Sequence, residues 1–222
     1  MSEPLRELAP GVHVAEGPQS FYGLQLGGRM TVLETSEGLL VHSPIARPIE
    51  DVATRGEPRF VLAPNLFHHL HVGPWIDAGV ATWAARGLPD KRRDVTFTGV
   101  VEPGVQPFGS DVVALPLTCF SFSNEVVLLH RPSRTLVVTD LCFHLTPEFG
   151  WGTRAAMWML GGYPGCKTTV VERWGMKREL ARRELGEIVA WDFDRLVLAH
   201  GEVIEKGGKD AFVGAFRWLG LS

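Results

Sequence analysis

The stretch Phe60-Val61-Leu62-Ala63-Pro64-Asn65-Leu66-Phe67-His68-His69-Leu70-His71-Val72-Gly73 sets an apolar run directly before a histidine cluster. Residues 60–63 read as a buried strand, and three of the chain's eight histidines fall within the next few positions. That clustering needs a reason, and imidazole is the commonest protein ligand for borderline transition metals. A strand end suits the task, because the rigid element fixes where the loop aims its side chains. The cluster itself contains no Asp or Glu, so a metal held there needs a carboxylate from elsewhere in the chain.

The same arrangement recurs. His42 follows Leu39-Leu40-Val41, Asp140 follows Leu136-Val137-Val138-Thr139, and His200 follows Leu196-Val197-Leu198-Ala199. Strands lying side by side in layered sheets would bring these ends to one rim. The remaining pattern is compatible with such layers. Strands are predicted over 12–15, 30–35, 39–42, 112–115, 125–130, 135–140 and 195–199. Ser36-Glu37-Gly38 reads as a hairpin connection, and Arg131-Pro132-Ser133-Arg134 as the turn of a second, buried hairpin. Helices are predicted over 47–54, 74–81, 176–191 and 209–219. The aromatic-rich last third, with Trp151, Trp158, Trp174 and Trp191, is assigned to core packing, with a share left for a pocket wall. With no internal repeat or low-complexity linker, one domain over 1–222 is expected.

Composition narrows the function. Hydrophobic content of 45% and charged content of 21% in 222 residues describe a globular chain with a real core. A net charge of −3 leaves no basic footprint, so no nucleic-acid partner is expected. No apolar run approaches the roughly 20 residues of a bilayer span, so no membrane partner is expected either. The N-terminus, with Glu3, Arg6 and Glu7, does not read as a signal peptide. Cys119, Cys142 and Cys166 are odd in number and form no CxxC pair. They read as small buried apolar residues in a reducing, cytoplasmic setting. No GxSxG nucleophile elbow, Walker loop or GxGxxG occurs. Nothing in the sequence sets the oligomeric state.

The histidine cluster after an early strand, the Thr139-Asp140 after a middle one and the late Ala199-His200-Gly201 together resemble the metallo-β-lactamase fold. That resemblance covers nearly the whole chain in order and implies a four-layer αββα sandwich of the α/β (α+β) class, with metal ligands on loops along one edge. The family's motif has the form HxHxDH, followed by a later His, a Gly-Asp and a final His. Setting His71 on the motif's last histidine puts His68 on its second, Asp140 on the bridging aspartate and His200 on the terminal histidine. Leu66 and Leu70 then replace a histidine and the motif aspartate. No histidine precedes the strand that begins at Glu125, and His42 stands where the fold usually has a supporting aspartate. More narrowly, Val41-His42-Ser43-Pro44-Ile45, residues 64–70 and residues 130–136 resemble a domain of unknown function, DUF4336.

The resemblance implies a metal centre at His71, Asp140 and His200, with His68 or His42 completing or supporting it. Zinc is the expected ion, and iron suits the same donors. The implied chemistry is a metal-activated water attacking a small molecule, with Asp140 or Glu125 orienting that water or acting as base. A non-catalytic ligand-binding or interaction module on a degenerate scaffold is the alternative, and an iron-dependent redox protein the third. His69 reads as a surface residue and His130 and Arg134 as structural residues of a turn, while His144 is given no role in the pocket.

Overall fold

Successive residues of an extended chain face opposite ways, so a strand that is apolar at every position must be covered on both sides. Three apolar clusters meet that demand here. The computed structural model describes residues 5–21 and 23–221, so Glu3 lies outside it.

The first half contains β1 (Arg6–Ala9), β2 (Val12–Gly17), the short ribbon β3 (Ser20–Phe21) and β4 (Leu24–Gln25), β5 (Gly28–Thr35) and β6 (Gly38–His42). It continues through α1 (Ile49–Ala53), β7 (Pro58–Ala63), α2 (Gly73–Asp77), β8 (Ala81–Ala84), α3 (Leu88–Lys91) and β9 (Gly99–Val100). The second half holds β10 (Val112–Pro116), β11 (Val126–His130), β12 (Thr135–Val138), β13 (Phe143–Leu145) and α4 (Trp151–Met159). Then come β14 (Gly165–Lys167), α5 (Val170–Gly175), α6 (Arg178–Ala190), β15 (Arg195–Leu198) and α7 (Gly208–Ala215).

Seven strands form one sheet in the order β1-β2-β5-β6-β7-β8-β9, and four form another in the order β10-β11-β12-β15. Leu40 and Leu62 of the first sheet meet Leu128, Val137 and Val197 of the second in the central core. The neighbouring Val41 and Val61 face outward onto Val52 of α1 and Trp75 of α2. Leu136, Val138 and Leu196 face outward onto Leu185 of α6 and Phe212 of α7. The layers therefore run helix, sheet, sheet, helix. Both expected hairpins form, β5 with β6 and β11 with β12, each antiparallel. Parallel pairing sets β7 beside β6 and β15 beside β12, which carries the C-terminal ends of all four strands toward one edge. No helix among the described residues is long and apolar enough to cross a membrane.

Several elements differ from the sequence expectation. The helix expected over 74–81 ends at Asp77, because Gly79 turns the chain at φ +77° and residues 81–84 join the first sheet as β8. Helices α4 and α5 were not expected. The core assignment of three tryptophans is overturned: Trp151, Trp158 and Trp174 lie on the solvent side of these helices, while Trp191 packs against the outer core of the second sheet.

One glycine fixes the far end of the site. Gly201 has φ +90°, and a Cβ built there would fall 2.0 Å from the His144 carbonyl oxygen. Its bareness lets β13 cross beside the loop that carries His200, where Glu202 N–H donates to that carbonyl at 2.8 Å. Gly201→Ala combines left-handed strain with a backbone overlap and is expected to cost about 3 kcal/mol. For a chain of this size that lowers Tm by roughly 6–12 °C in a thermal melt. An unchanged Tm would show that the loop relaxes freely.

Candidate metal centre

The loop after β7 is shaped by Asn65 before its histidines do anything. The Asn65 Oδ1 accepts the backbone N–H groups of Phe67 (2.9 Å) and His68 (2.8 Å), a local side-chain turn that folds the loop back. Its Nδ2 donates to Asp140 Oδ2 at 2.7 Å and to Thr139 Oγ1 at 3.0 Å. One buried amide thus ties the rim of the first sheet to the rim of the second.

The result is a convergence of three donor atoms. His68 Nε2 lies 3.1 Å from His200 Nε2 and 3.5 Å from Asp140 Oδ1, and His200 Nε2 lies 3.2 Å from the same oxygen. Both rings are held from behind. His200 Nδ1 sits 2.6 Å from the Gly27 carbonyl, and His68 Nδ1 sits 2.8 Å from Ser43 Oγ. His200 also stacks on Phe143, with ring centroids 5.7 Å apart.

This donor set fits a metal ion. The Gly27 oxygen only accepts, so His200 Nδ1 donates to it and Nε2 is the ring nitrogen left to face a metal ion. That nitrogen, the His68 nitrogen and a carboxylate oxygen crowd one point, which calls for a positive charge between them. Donors on a tetrahedral ion with bonds of about 2.0–2.1 Å stand about 3.3 Å apart. The three distances here bracket that value. Among the described residues, His68, Asp140 and His200 are the group of metal-binding side chains that converges in this way.

Electrostatics follow the geometry. Burial alone would push the Asp140 carboxyl up, but the His68 and His200 imidazoles outweigh it and hold Asp140 well below the usual carboxylate range. Glu125 lies fully buried beneath, accepting the N–H of Thr139 at 2.7 Å and of Asp140 at 2.8 Å. Burial and the Asp140 charge push it up to about 8, against the pull of those two N–H groups. With both oxygens turned to the backbone, Glu125 positions the Asp140 peptide.

The other histidines take different places. His71 is exposed and lies outside the three-donor group, on the wall of a cavity of about 490 Å³ that His68, Ser43 and Phe67 also line. The sequence alignment favoured His71 over His68; the loop turn made by Asn65 brings His68 inward instead. His42 is buried at the end of β6 near His68, and neither ring nitrogen has a hydrogen-bond partner among the described residues. Contrary to its surface assignment, His69 is buried, with Arg92 Nη1 donating to its Nδ1 at 3.1 Å and to its carbonyl at 2.9 Å. His130 pairs with Ser133 Oγ and the Glu34 carbonyl at the turn end of β11. His144 Nδ1 meets the Glu202 carbonyl at 2.9 Å.

Sequence reasoning missed Asn65, Ser43 and Gly27. An Asn immediately after a strand and two residues before the loop's turn is the usual signal for Asn65. Ser43 at φ +55° carried a weaker one, a small polar residue before proline at a strand end. Nothing local marks the Gly27 carbonyl.

No protein-family model and no curated protein sequence matches the chain. Solved structures do. A DIM-1 metallo-β-lactamase exposed to ceftazidime superposes with a TM-score of 0.68 at 11% identity, covering 98% of this chain and 99% of its own. The mono-zinc form of the metallo-β-lactamase FIM-1 from Pseudomonas aeruginosa gives 0.67 at 10% identity, over 99% and 96%. The metallo-β-lactamase IND-7 gives 0.62 at 16% identity, also over 99% and 96%. The chain has the metallo-β-lactamase fold.

Two substitutions test the supporting residues. Asn65→Asp keeps the shape but sets a carboxylate oxygen against Asp140 Oδ2, where a donor now stands. It is expected to cost about 3 kcal/mol through lost and repulsive contacts, read as a Tm lower by roughly 6–12 °C. An unaltered melt would deny Asn65 its bridging role. His42 is held down to about 3 by burial and then by His68, whereas an unfolded imidazole titrates near 6.5. The unfolded chain therefore takes up this proton first, and the stability due to neutral His42 is complete above pH 6.5 and lost as pH falls toward 3. His42→Leu should flatten that acid limb in denaturation curves; an unchanged slope would assign the acid sensitivity to other groups.

Proposed function

We propose that this chain is a metal-dependent hydrolase of a small molecule, with a single-ion or altered centre on His68, Asp140 and His200. The observation that carries the proposal is the convergence of two imidazole nitrogens and one carboxylate oxygen within 3.1–3.5 Å, each ring fixed from behind. Zinc is the proposed ion, with iron as the other candidate for the same donors. When bound, such an ion supplies a polarised water and Lewis acidity toward a carbonyl or phosphorus centre.

The protein's part is positioning. Ser43 and the Gly27 carbonyl fix the ring orientations, which sets the basicity of the inward nitrogens. Asn65 occupies Asp140 Oδ2 and leaves Oδ1 facing the two histidines. Glu125 holds the Asp140 peptide from below. The cavity beside His68 is of a size for a small ligand, and its exposed His71 imidazole can donate to or accept from a bound group. The narrower likeness to DUF4336 rests on three short segments, and we carry it as part of this proposal along with a cytoplasmic location and a one-domain chain.

Metal analysis of tag-free protein tests the reading. About one zinc or iron per chain is expected, lost in His200→Ala and retained in His71→Ala and His130→Ala. Loss in His71→Ala as well would move the centre toward the exposed wall. No bound metal after anaerobic reconstitution would sink the hydrolase reading and leave the ligand-binding module, whose vacant family positions Leu66 and Leu70 already point that way.

A further inference from the structure

Helices α4 and α5 present apolar faces to solvent, the reverse of an ordinary surface helix. In α4 the inward residues are Thr153 and Met157. The outward side carries Trp151, Gly152, Ala155, Trp158 and Met159. Trp151 and Trp158, 81% and 67% exposed, stand about two turns apart on one stripe. Helix α5 turns Glu172 inward and exposes Val170, Val171 and Trp174, the last at 92%. The two faces adjoin, because Val170 N–H donates to the Leu160 carbonyl at 2.8 Å where α4 ends.

The extent of this surface is what sets it apart. A large aromatic carries up to about 250 Å², so the three tryptophans with Met159 and the two valines leave on the order of 700 Å² open. The largest apolar patch on a typical monomer is roughly 300–600 Å². One side of a stable protein interface is about 800 Å².

We propose that this surface is the interface of a two-fold homodimer of this chain. Its area matches what such a dimer needs, and the spacing of its tryptophans on α4 allows the stripe to meet itself about a two-fold axis. A two-fold contact requires that residue i meet j while j meets i. With the axis near Ala155 and the two copies of α4 antiparallel, Trp151 of each copy meets Trp158 of the other. Gly152 and Ala155 then let the helices approach at the centre. The charged residues of the segment 148–177 are mainly basic, Arg154, Lys167, Arg173 and Lys177 against Glu148 and the inward Glu172. These like charges oppose one another across the dimer margin, so added salt tightens it. An anionic lipid surface, the other partner such a composition suits, is released by salt.

Sedimentation equilibrium of the tag-free full chain at low and high salt is the test. A species of twice 24.4 kDa is expected, with a dissociation constant that falls as salt rises. Ala155→Arg puts a good helix former at an exposed site but sets a second cation against Arg154 of the other copy in the dimer. It should raise the dissociation constant by at least about tenfold with an unchanged circular dichroism spectrum. The Trp151→Ser, Trp158→Ser double variant should do the same by removing apolar surface. A wild-type chain that is monomeric at every concentration overturns the proposal, as does an Ala155→Arg variant that dimerises normally. A monomer that sediments with phosphatidylserine vesicles and is freed by salt also overturns it, and assigns the face to lipid.

Discussion

The site depends on the four hydrogen bonds of one amide. An asparagine side chain offers two donor hydrogens and an accepting oxygen with two lone pairs, and Asn65 uses all four between Phe67, His68, Thr139 and Asp140. The first pair shapes the loop of the first sheet, and the second pair holds a half-buried carboxylate on the second. A charged oxygen in that position is tolerable only with donors around it. Backbone contacts reinforce the same seam: Val126 N–H donates to the Pro64 carbonyl at 2.7 Å, and Leu66 N–H to the Ser123 carbonyl at 2.9 Å. The distance between His68 and Asp140 is therefore set by how the two sheets pack, and the central core of Leu40, Leu62, Leu128 and Val137 is the foundation of the chemistry above it.

This explains which parts were readable in the sequence. A strand covered on both faces leaves a continuous apolar run, so residues 39–42, 60–63 and 135–138 announced themselves, and so did the polar residue ending each one. His42, Asp140 and His200 could be placed at a common edge on that ground alone. The choice between His68 and His71 was not readable by spacing, because it turns on which backbone N–H groups the Asn65 oxygen captures. Family-pattern alignment favoured the later histidine, while the loop's own hydrogen bonding brings the earlier one inward. Glu125 stood in the sequence as a candidate base, whereas its place under the Asp140 peptide follows from two N–H groups whose direction only the folded chain defines.

The tryptophans of the last third illustrate a different blindness. An apolar stripe in sequence states that a helix face needs cover and does not state who supplies it. In α6 the cover is the second sheet, and Leu185 and Ile188 disappear into it. In α4 the inward side is already occupied by Thr153 and Met157 over the small cluster with Leu26, Phe143 and Leu145. Trp151 and Trp158 fall on the other side, with no layer of the sandwich left to meet them.

The substitutions at positions 42 and 70 bear on the charge available to the proposed centre. The family pattern that the sequence resembles has acids at the positions of Leu70 and His42, and each replacement removes negative charge from the neighbourhood of Asp140. What remains is one carboxylate held ionised by two imidazoles, and a second, Glu125, pushed toward its neutral form by burial and by Asp140. His42, held neutral in the same dry environment, adds no charge either. A third buried carboxylate at position 42 would have raised the cost of both others, since like charges in a low-dielectric setting oppose each other's ionisation. Asp140 is then the carboxylate that would face a single divalent ion beside the two imidazoles, as the proposed centre requires.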